Sequence, residues 1–405
     1  MRAMFPSRLR CFLDGPGRPW LAFCLLGLAS VIFMCAEMHN GRFACRDFEV
    51  YYKAGARVAA GENLYRPEED GFYEYLYSPV AAIYFAPIAR LPLPVAKVVY
   101  WQFLTAAVLL GFYLSLSLVH PGFRDGAPKP QNTLLLLAGI ILGVHVQREL
   151  HLGQVNQLLL VMYLGVAYLF SRNRPVTLAA IWAASIFIKP LALIFVPYFM
   201  LKRRYRELAW FAVLVTALFL SPRLFYERTE FWHQYRSQGK TFETEFNQKA
   251  DVGTPGNHTV SSVLVRYSPM RFLSRTTGMV VALHGVVLAL IGVAVLWLIK
   301  RGRHLPDGHV LEFAALIALI PLLSSTAYSA FGFVQLAVFL LLFNFHRLGP
   351  RARLWTAGGC VLTGGNWYDL WGRRLWHAFD DSSLITIGTL TLCGALWMAR
   401  RKQVL

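Results

Sequence analysis

Apolar runs of about 18 residues or more recur along this chain between short polar loops, the pattern of helices that cross a bilayer. The first run, residues 20–38, follows an arginine-rich leader, which places the N-terminus inside and the long loop 39–77 outside. Within that loop the periodicity changes. Phe48, Tyr51, Tyr52, Ala56 and Ala59 fall close to one stripe, so 47–60 is expected to form an interfacial helix, lying flat with its tyrosines toward the membrane. Gly61 ends it, and a turn-rich stretch, 66–71, follows.

Further spans are expected at 77–91, 95–119, 133–146, 157–170, 176–201, 210–220, 279–299, 313–325, 331–345, 355–362 and 384–397. The count is about twelve, with both termini inside, in one all-α polytopic membrane domain covering 1–405. Leu91-Pro92-Leu93-Pro94 is read as an inner turn, 221–275 as a second large outer loop, and 276–405 as the C-terminal spans. The middle of the chain supports two readings. One helix over 176–201 leaves Arg172 and Arg174 outside, against the trend that keeps basic loops inside. A break at Lys189-Pro190 gives two short helices instead, because an interior proline removes a hydrogen bond and bends the chain.

Composition agrees with this class. The 405 residues are 56% hydrophobic and 15% charged, against roughly a quarter charged in soluble proteins. The net charge of +18 gathers in short loops, for example Lys202, Arg203, Arg204 and Arg206, where it sets topology and gives no reason to expect nucleic acid. The other basic clusters are Arg2, Arg8, Arg10 and Arg18; Lys300, Arg301 and Arg303; Arg347, Arg351 and Arg353; and Arg400, Arg401 and Lys402. The six cysteines form no CxxC pair, so no metal and no redox framework is expected. The 20–38 run is longer than a usual signal core and is read as a retained helix.

Four stretches carry candidate chemistry. Asp47 sits just outside the first span, where a charge is costly. It either caps the interfacial helix or serves as a general base. Lys189 lies in an apolar segment; it either meets an anionic partner or snorkels to the interface. Gly256-Asn257-His258-Thr259 leads into a short apolar helix ending at Arg266, whose guanidinium suits either a bound phosphate or lipid headgroups. His258 is either a proton carrier or a hydrogen-bonded loop residue. In Gly153-Gln154-Val155-Asn156 the amides suit sugar hydroxyls, although capping by Asn156 and packing by Gly153 explain the spacing too. No phosphate-binding glycine loop, HExxH pair or GxSxG elbow occurs in a credible context.

Several of these stretches fall into one order. Asp47-Phe48 through Tyr51-Tyr52-Lys53-Ala54, Ala60-Gly61-Glu62-Asn63-Leu64-Tyr65, Tyr77-Ser78-Pro79, Ala86-Pro87-Ile88-Ala89-Arg90-Leu91-Pro92, Gly153-Gln154-Val155-Asn156, Ile188-Lys189-Pro190, the basic run 201–206 and Gly256-Asn257-His258-Thr259 together resemble glycosyltransferase family 87. That family holds GT-C-type enzymes, including polyprenyl-phosphate-mannose-dependent α-mannosyltransferases. The resemblance implies a GT-C-like bundle that uses a polyprenyl phosphate sugar donor and a glycolipid or lipid-linked glycan acceptor, among membrane lipids and without a cofactor. It implies Asp47 as base, Lys189, Arg266, His258 and Asn257 around the donor phosphate, and Gln154, Asn156, Tyr77 and Tyr51 around the sugars. A bacterial inner membrane is the implied setting, with the site on its outer side. One departure stands out: family members often carry a histidine in a late Ser-Pro-rich segment, and the corresponding 324–331 has none. Competing readings are a flippase or transporter of lipid-linked sugars, a glycan ligase or polymerase using polyprenyl diphosphate donors, and a non-catalytic membrane subunit.

Overall fold

The computed structural model describes residues 13–14, 20–120, 131–248, 253–268, 308–324, 327–328 and 330–401, with short pieces between 278 and 293. The expected span at 279–299 and the basic clusters around 2–18 and 300–303 lie largely or wholly outside the described residues. Among the described residues every regular element is helical. Four helices are long and apolar enough to cross a membrane: Leu21–His39, Leu93–Val119, Asn132–Leu152 and Tyr205–Leu224. The bent pair Leu370–Asp381 and Leu384–Arg400 makes a fifth if it is one span.

In chain order, α1 is Leu21–His39, α2 Arg46–Ala59, α3 Pro79–Phe85, α4 Leu93–Val119 and α5 Asn132–Leu152. Then come α6 Asn156–Ser171, α7 Pro175–Ile188, α8 Phe195–Leu201, α9 Tyr205–Leu220, α10 Arg228–Gln248 and α11 Val260–Tyr267. The last five are α12 Gly308–Leu323, α13 Gln335–Phe343, α14 Pro350–Gly364, α15 Tyr368–Asp381 and α16 Leu384–Arg401. Proline opens several of them, where its missing N–H costs nothing.

Contacts sort the helix ends into two sets. At one end, Arg204 reaches the Phe170 carbonyl and Asn173, and Lys202 and Arg400 both pair with buried Glu312, each at 2.7 Å. His120, at the end of α4, stacks edge-on against Phe343. Arg172, Arg174, Lys202, Arg203, Arg204, Arg347, Arg353 and Arg400 therefore share this basic end. At the other end, Lys97 at the start of α4 pairs with Glu49 of α2. Asn156 meets Lys189 there, and His145 meets the Thr363 carbonyl.

This arrangement decides one open reading and corrects two expectations. The middle of the chain takes the broken reading: Lys189 is extended (φ −142°, ψ 131°), between α7 and a 3-10 turn, Pro190–Ile194. Arg172 and Arg174 consequently lie at the basic end, and the exception to the charge trend disappears. The break is satisfied locally, since Ser78 Oγ donates to the Phe187 carbonyl at 2.7 Å and Trp182 Nε1 to the Ala192 carbonyl at 2.9 Å. The expected second span does not cross. Its helix α3 has seven residues, about 10 Å against a hydrocarbon core of about 30 Å. The Tyr52 hydroxyl of α2 donates to the Leu91 carbonyl at 2.8 Å, so the segment returns to the side from which it started.

Third, α2 does not lay its tyrosines in lipid. Tyr51 is buried in protein, between Tyr77 and Phe85, and Phe48 stacks on Tyr100. A second small core, with Ala54, Val58, Leu64, Tyr65, Tyr75, Ala82, Tyr226 and Phe231, joins the first outer loop to the start of α10. Arg57 clamps Asp70 with both terminal nitrogens, at 2.5 and 2.9 Å, and closes that loop over α2.

Candidate functional site

Asp47 occupies the first turn of α2 but does not cap it. The residue before the helix is Cys45, in the left-handed region (φ 45°), and it makes no side-chain cap. The Asp47 carboxylate instead accepts a hydrogen bond from Gln154 Nε2 at 2.5 Å. Gln154 can reach it because Gly153 ends α5 with φ +70°. A Cβ on Gly153 would lie 2.9 Å from the Cβ of Phe48 and 3.2 Å from that of Cys45, so only glycine lets the two helix ends meet.

The network runs on from there. Gln154 Oε1 accepts from the Tyr51 hydroxyl at 3.2 Å, and the Tyr51 and Tyr77 hydroxyls are 2.9 Å apart. Lys189 Nζ lies 5.8 Å from the centre of the Tyr77 ring and donates to Asn156 Oδ1 at 2.8 Å. Asn156 Nδ2 in turn donates to Glu149 Oε1 at 3.0 Å, which also accepts the Ala330 N–H at 3.1 Å. Six of the nine residues singled out from sequence, Asp47, Gln154, Tyr51, Tyr77, Lys189 and Asn156, thus form one patch. They come from four separate stretches of the chain, at the end opposite the basic loops.

Burial pushes the Asp47 carboxyl above its ordinary range, against the pull of the Gln154 hydrogen bond and the Lys189 charge. Tyr51, fully enclosed, is pushed well up by burial and stays a neutral donor. The patch therefore holds a strained-up carboxylate beside a cation and several neutral donors, which suits proton transfer and the binding of hydroxyls.

The other three residues form a second group. The His258 N–H donates to the Ala327 carbonyl at 2.9 Å, while Asn257 Oδ1 accepts the Ala327 N–H at 3.2 Å. His258 Nε2 is 3.0 Å from Asp380 Oδ1, and the His258 ring packs edge-on against Phe331. Ala327 and Phe331, in the stretch without the family's histidine, thus pack against His258 from another loop. Arg266 is committed to structure: it donates to the Asp381 carbonyl at 2.8 Å, to the Asn257 carbonyl at 3.0 Å and to Ser383 Oγ. Ala327 and Ala330 link the two groups, since the Ala330 N–H donates to Glu149 and Ala327 bonds Asn257 and His258.

Sequence reasoning missed Glu149 and Asp380. Glu149 stood in a polar patch between spans, which is a usable signal; Asp380 had none, because its partner is 122 positions away. Among the described residues no three His, Cys, Asp or Glu side chains gather as a metal would require.

No curated protein and no solved structure matches the chain. A model of glycosyltransferase family 87 does, over residues 75–325, and that stretch contains Tyr77, Gln154, Asn156, Lys189, Asn257, His258 and Arg266 but neither Asp47 nor Asp380. The match covers more than half of the sequence: the chain belongs to glycosyltransferase family 87.

Proposed function

We propose that this glycosyltransferase moves a hexose, mannose by family resemblance, from a polyprenyl phosphate sugar to a hydroxyl of a glycolipid or lipid-linked glycan. The observation that carries the reading is the convergence of Asp47, Gln154, Tyr51, Tyr77, Lys189 and Asn156 in one patch at the end away from the basic loops. Basic loops stay inside, so the patch faces outward, to the periplasm or exterior of a bacterial-type inner membrane. The bundle is of GT-C type. Among the described residues nine or ten spans result if the five shorter apolar helices also cross, with 190–201 replacing the lost span at 77–91.

The donor leaves its lipid tail in the bilayer and brings its phosphate to Lys189. The acceptor oxygen attacks C1 from the face opposite that phosphate. As the new C1–O bond forms, the acceptor proton passes to Asp47, whose raised affinity for a proton suits a base. The C1–O bond to phosphate breaks with its electron pair, and polyprenyl phosphate departs. One displacement inverts the anomeric carbon. Lys189 offsets the growing phosphate charge, a role worth about 10² to 10³ in rate for a single well-placed donor. His258 and Asn257 support it, whereas Arg266 serves by holding the Asn257 carbonyl. Gln154 and Asn156 orient Asp47 and Lys189 and offer amide edges to sugar hydroxyls.

The test is transfer itself. Purified protein in nanodiscs receives radiolabelled polyprenyl phosphate mannose and a crude lipid extract, with and without EDTA. Label in a new lipid, unaffected by EDTA, is the expected result. Loss under EDTA with rescue by magnesium would sink the metal-free mechanism, and label from a polyprenyl diphosphate sugar alone would replace the donor.

A further inference from the structure

Glu149 lies in the last turn of α5, and its backbone and side chain serve different arms of the polar patch. The backbone carbonyl accepts the Gln154 N–H at 2.9 Å, across the turn at Gly153, and Gln154 carries the Asp47 carboxylate. The side chain turns to Lys189 instead. Its Oε1 accepts from Asn156 Nδ2 at 3.0 Å, and Asn156 Oδ1 accepts from Lys189 Nζ at 2.8 Å. Both links are sealed in protein, with Glu149 4% and Asn156 2% exposed, so water does not stand in for either partner.

The chemistry of the two ends fixes the direction of this chain. At one end the Ala330 N–H, 3.1 Å from the same Oε1, can only donate. At the other, an ammonium has donors and no acceptor. Asn156 must therefore turn its oxygen to Lys189 and its amide nitrogen to Glu149, and it is the Glu149 oxygen that keeps the amide that way round. Lys189 needs such a hold. Its stem is long and flexible, and its backbone is extended at the break between α7 and the 3-10 turn, where no helix stiffens it.

We propose that Glu149 is a positioning residue: through Asn156 it holds the Lys189 ammonium where the donor phosphate meets it. The proposal rests on the polyprenyl phosphate reading above. Glu149 touches no reacting atom and moves no proton; one of its oxygens accepts two N–H bonds and thereby ties Lys189 to Ala330. Its backbone, on the Asp47 arm, is untouched by a side-chain substitution, so the two arms can be separated by mutation.

The test is a double-mutant cycle on the full chain in nanodiscs, read as kcat for label transfer from polyprenyl phosphate mannose, with thermal unfolding as the check on folding. The proteins are wild type, Glu149→Leu, Lys189→Met, the two combined, and Glu149→Gln. Glu149→Leu is expected to lower kcat by about 10- to 100-fold, as a misplaced reacting group does. In the Lys189→Met background the same change should alter kcat by no more than about twofold, because the group it positions is gone. Glutamine keeps an oxygen of the same reach for both donors, so Glu149→Gln should stay within about fivefold of wild type. A merely structural role predicts otherwise: Glu149→Leu would cost the same factor with or without Lys189, and that result overturns the proposal. Glu149→Gln as slow as Glu149→Leu overturns it too. If Glu149→Leu does not fold, Glu149→Met takes its place in the cycle, since its unbranched side chain fills the same space adaptably. In each of these cases wild type still transfers label, and the donor reading stands. No transfer by wild type overturns the donor reading, and this inference with it.

Discussion

Replacing Gly55 with alanine adds one methyl group where α2 crosses α3. The new Cβ would lie 2.6 Å from the Phe85 carbonyl oxygen and 2.7 Å from its carbon. Both are backbone atoms at the end of a helix and cannot rotate aside. An ordinary carbon–oxygen separation of about 3.3 Å requires the helices to part by about 0.7 Å. Gly55 lies one turn from Tyr51 and two from Asp47 on the same side of α2, so the shift carries to both. The Tyr51–Gln154 hydrogen bond, already 3.2 Å, would be lost, and the 2.5 Å Asp47–Gln154 bond would stretch past its normal length. Overpacking costs about 1–3 kcal/mol, and alanine returns about 1 kcal/mol of helix propensity, so the net loss of stability is small. A displacement near 1 Å at a reacting group costs about 10² in rate. Gly55→Ala is therefore expected to lower kcat by about 10- to 100-fold with a modest fall in Tm, measured by label transfer and thermal unfolding. Gly239→Ala, on α10 with no atom within 4 Å of the added Cβ, is the control. A folded Gly55→Ala enzyme with the wild-type rate would refute the claim that this contact sets Asp47.

Three further outcomes are expected. Lys189→Met should lower kcat by about 10² to 10³ in the transfer assay, and Lys189→Arg should recover part of it, because the charge matters more than the shape. Glu312→Gln leaves Lys202 and Arg400 without their shared anion, at a cost of about 3–5 kcal/mol seen as a lower Tm, while folded enzyme turns over normally. Burial holds the Asp47 carboxyl above its ordinary value, and a base must be deprotonated. The rate should therefore fall as pH drops through that raised value, placing the acid limb of kcat/KM above that of an exposed aspartate. The same shift lowers stability as pH rises through the unfolded value toward the folded one. Asp47→Asn should thus be inactive yet no less stable at neutral pH, which thermal unfolding checks.

Local pattern was the legible part. The stripe on 47–60 and the break at Lys189-Pro190, one of two readings there, were each written in a few adjacent residues, whereas the helix expected at 133–146 runs on to Leu152 and stops at Gly153. Segment 77–91 misled because it is apolar enough to span; length decided against it, since Pro79, Pro87 and Pro92 cut it into a seven-residue helix and a 3-10 turn. The fate of Tyr51 was hidden for a similar reason. An amphipathic stripe gives the apolar face but not whether lipid or protein covers it, and here Tyr77 and Phe85 do. Pairings across more than a hundred residues left no local trace. Arg266 looked like a free fork until the Asp381 and Asn257 carbonyls were found on it, and Asp380 was unremarkable until His258 stood beside it.

The central claim is that Asp47 is the base of a sugar transfer, and the most direct measurement compares wild type with Asp47→Ala in nanodiscs supplied with radiolabelled polyprenyl phosphate mannose and lipid extract. The account predicts label in a new lipid with wild type and a loss of about 10² to 10⁴ in rate with the variant, at unchanged donor binding. Equal transfer by the two proteins would contradict it.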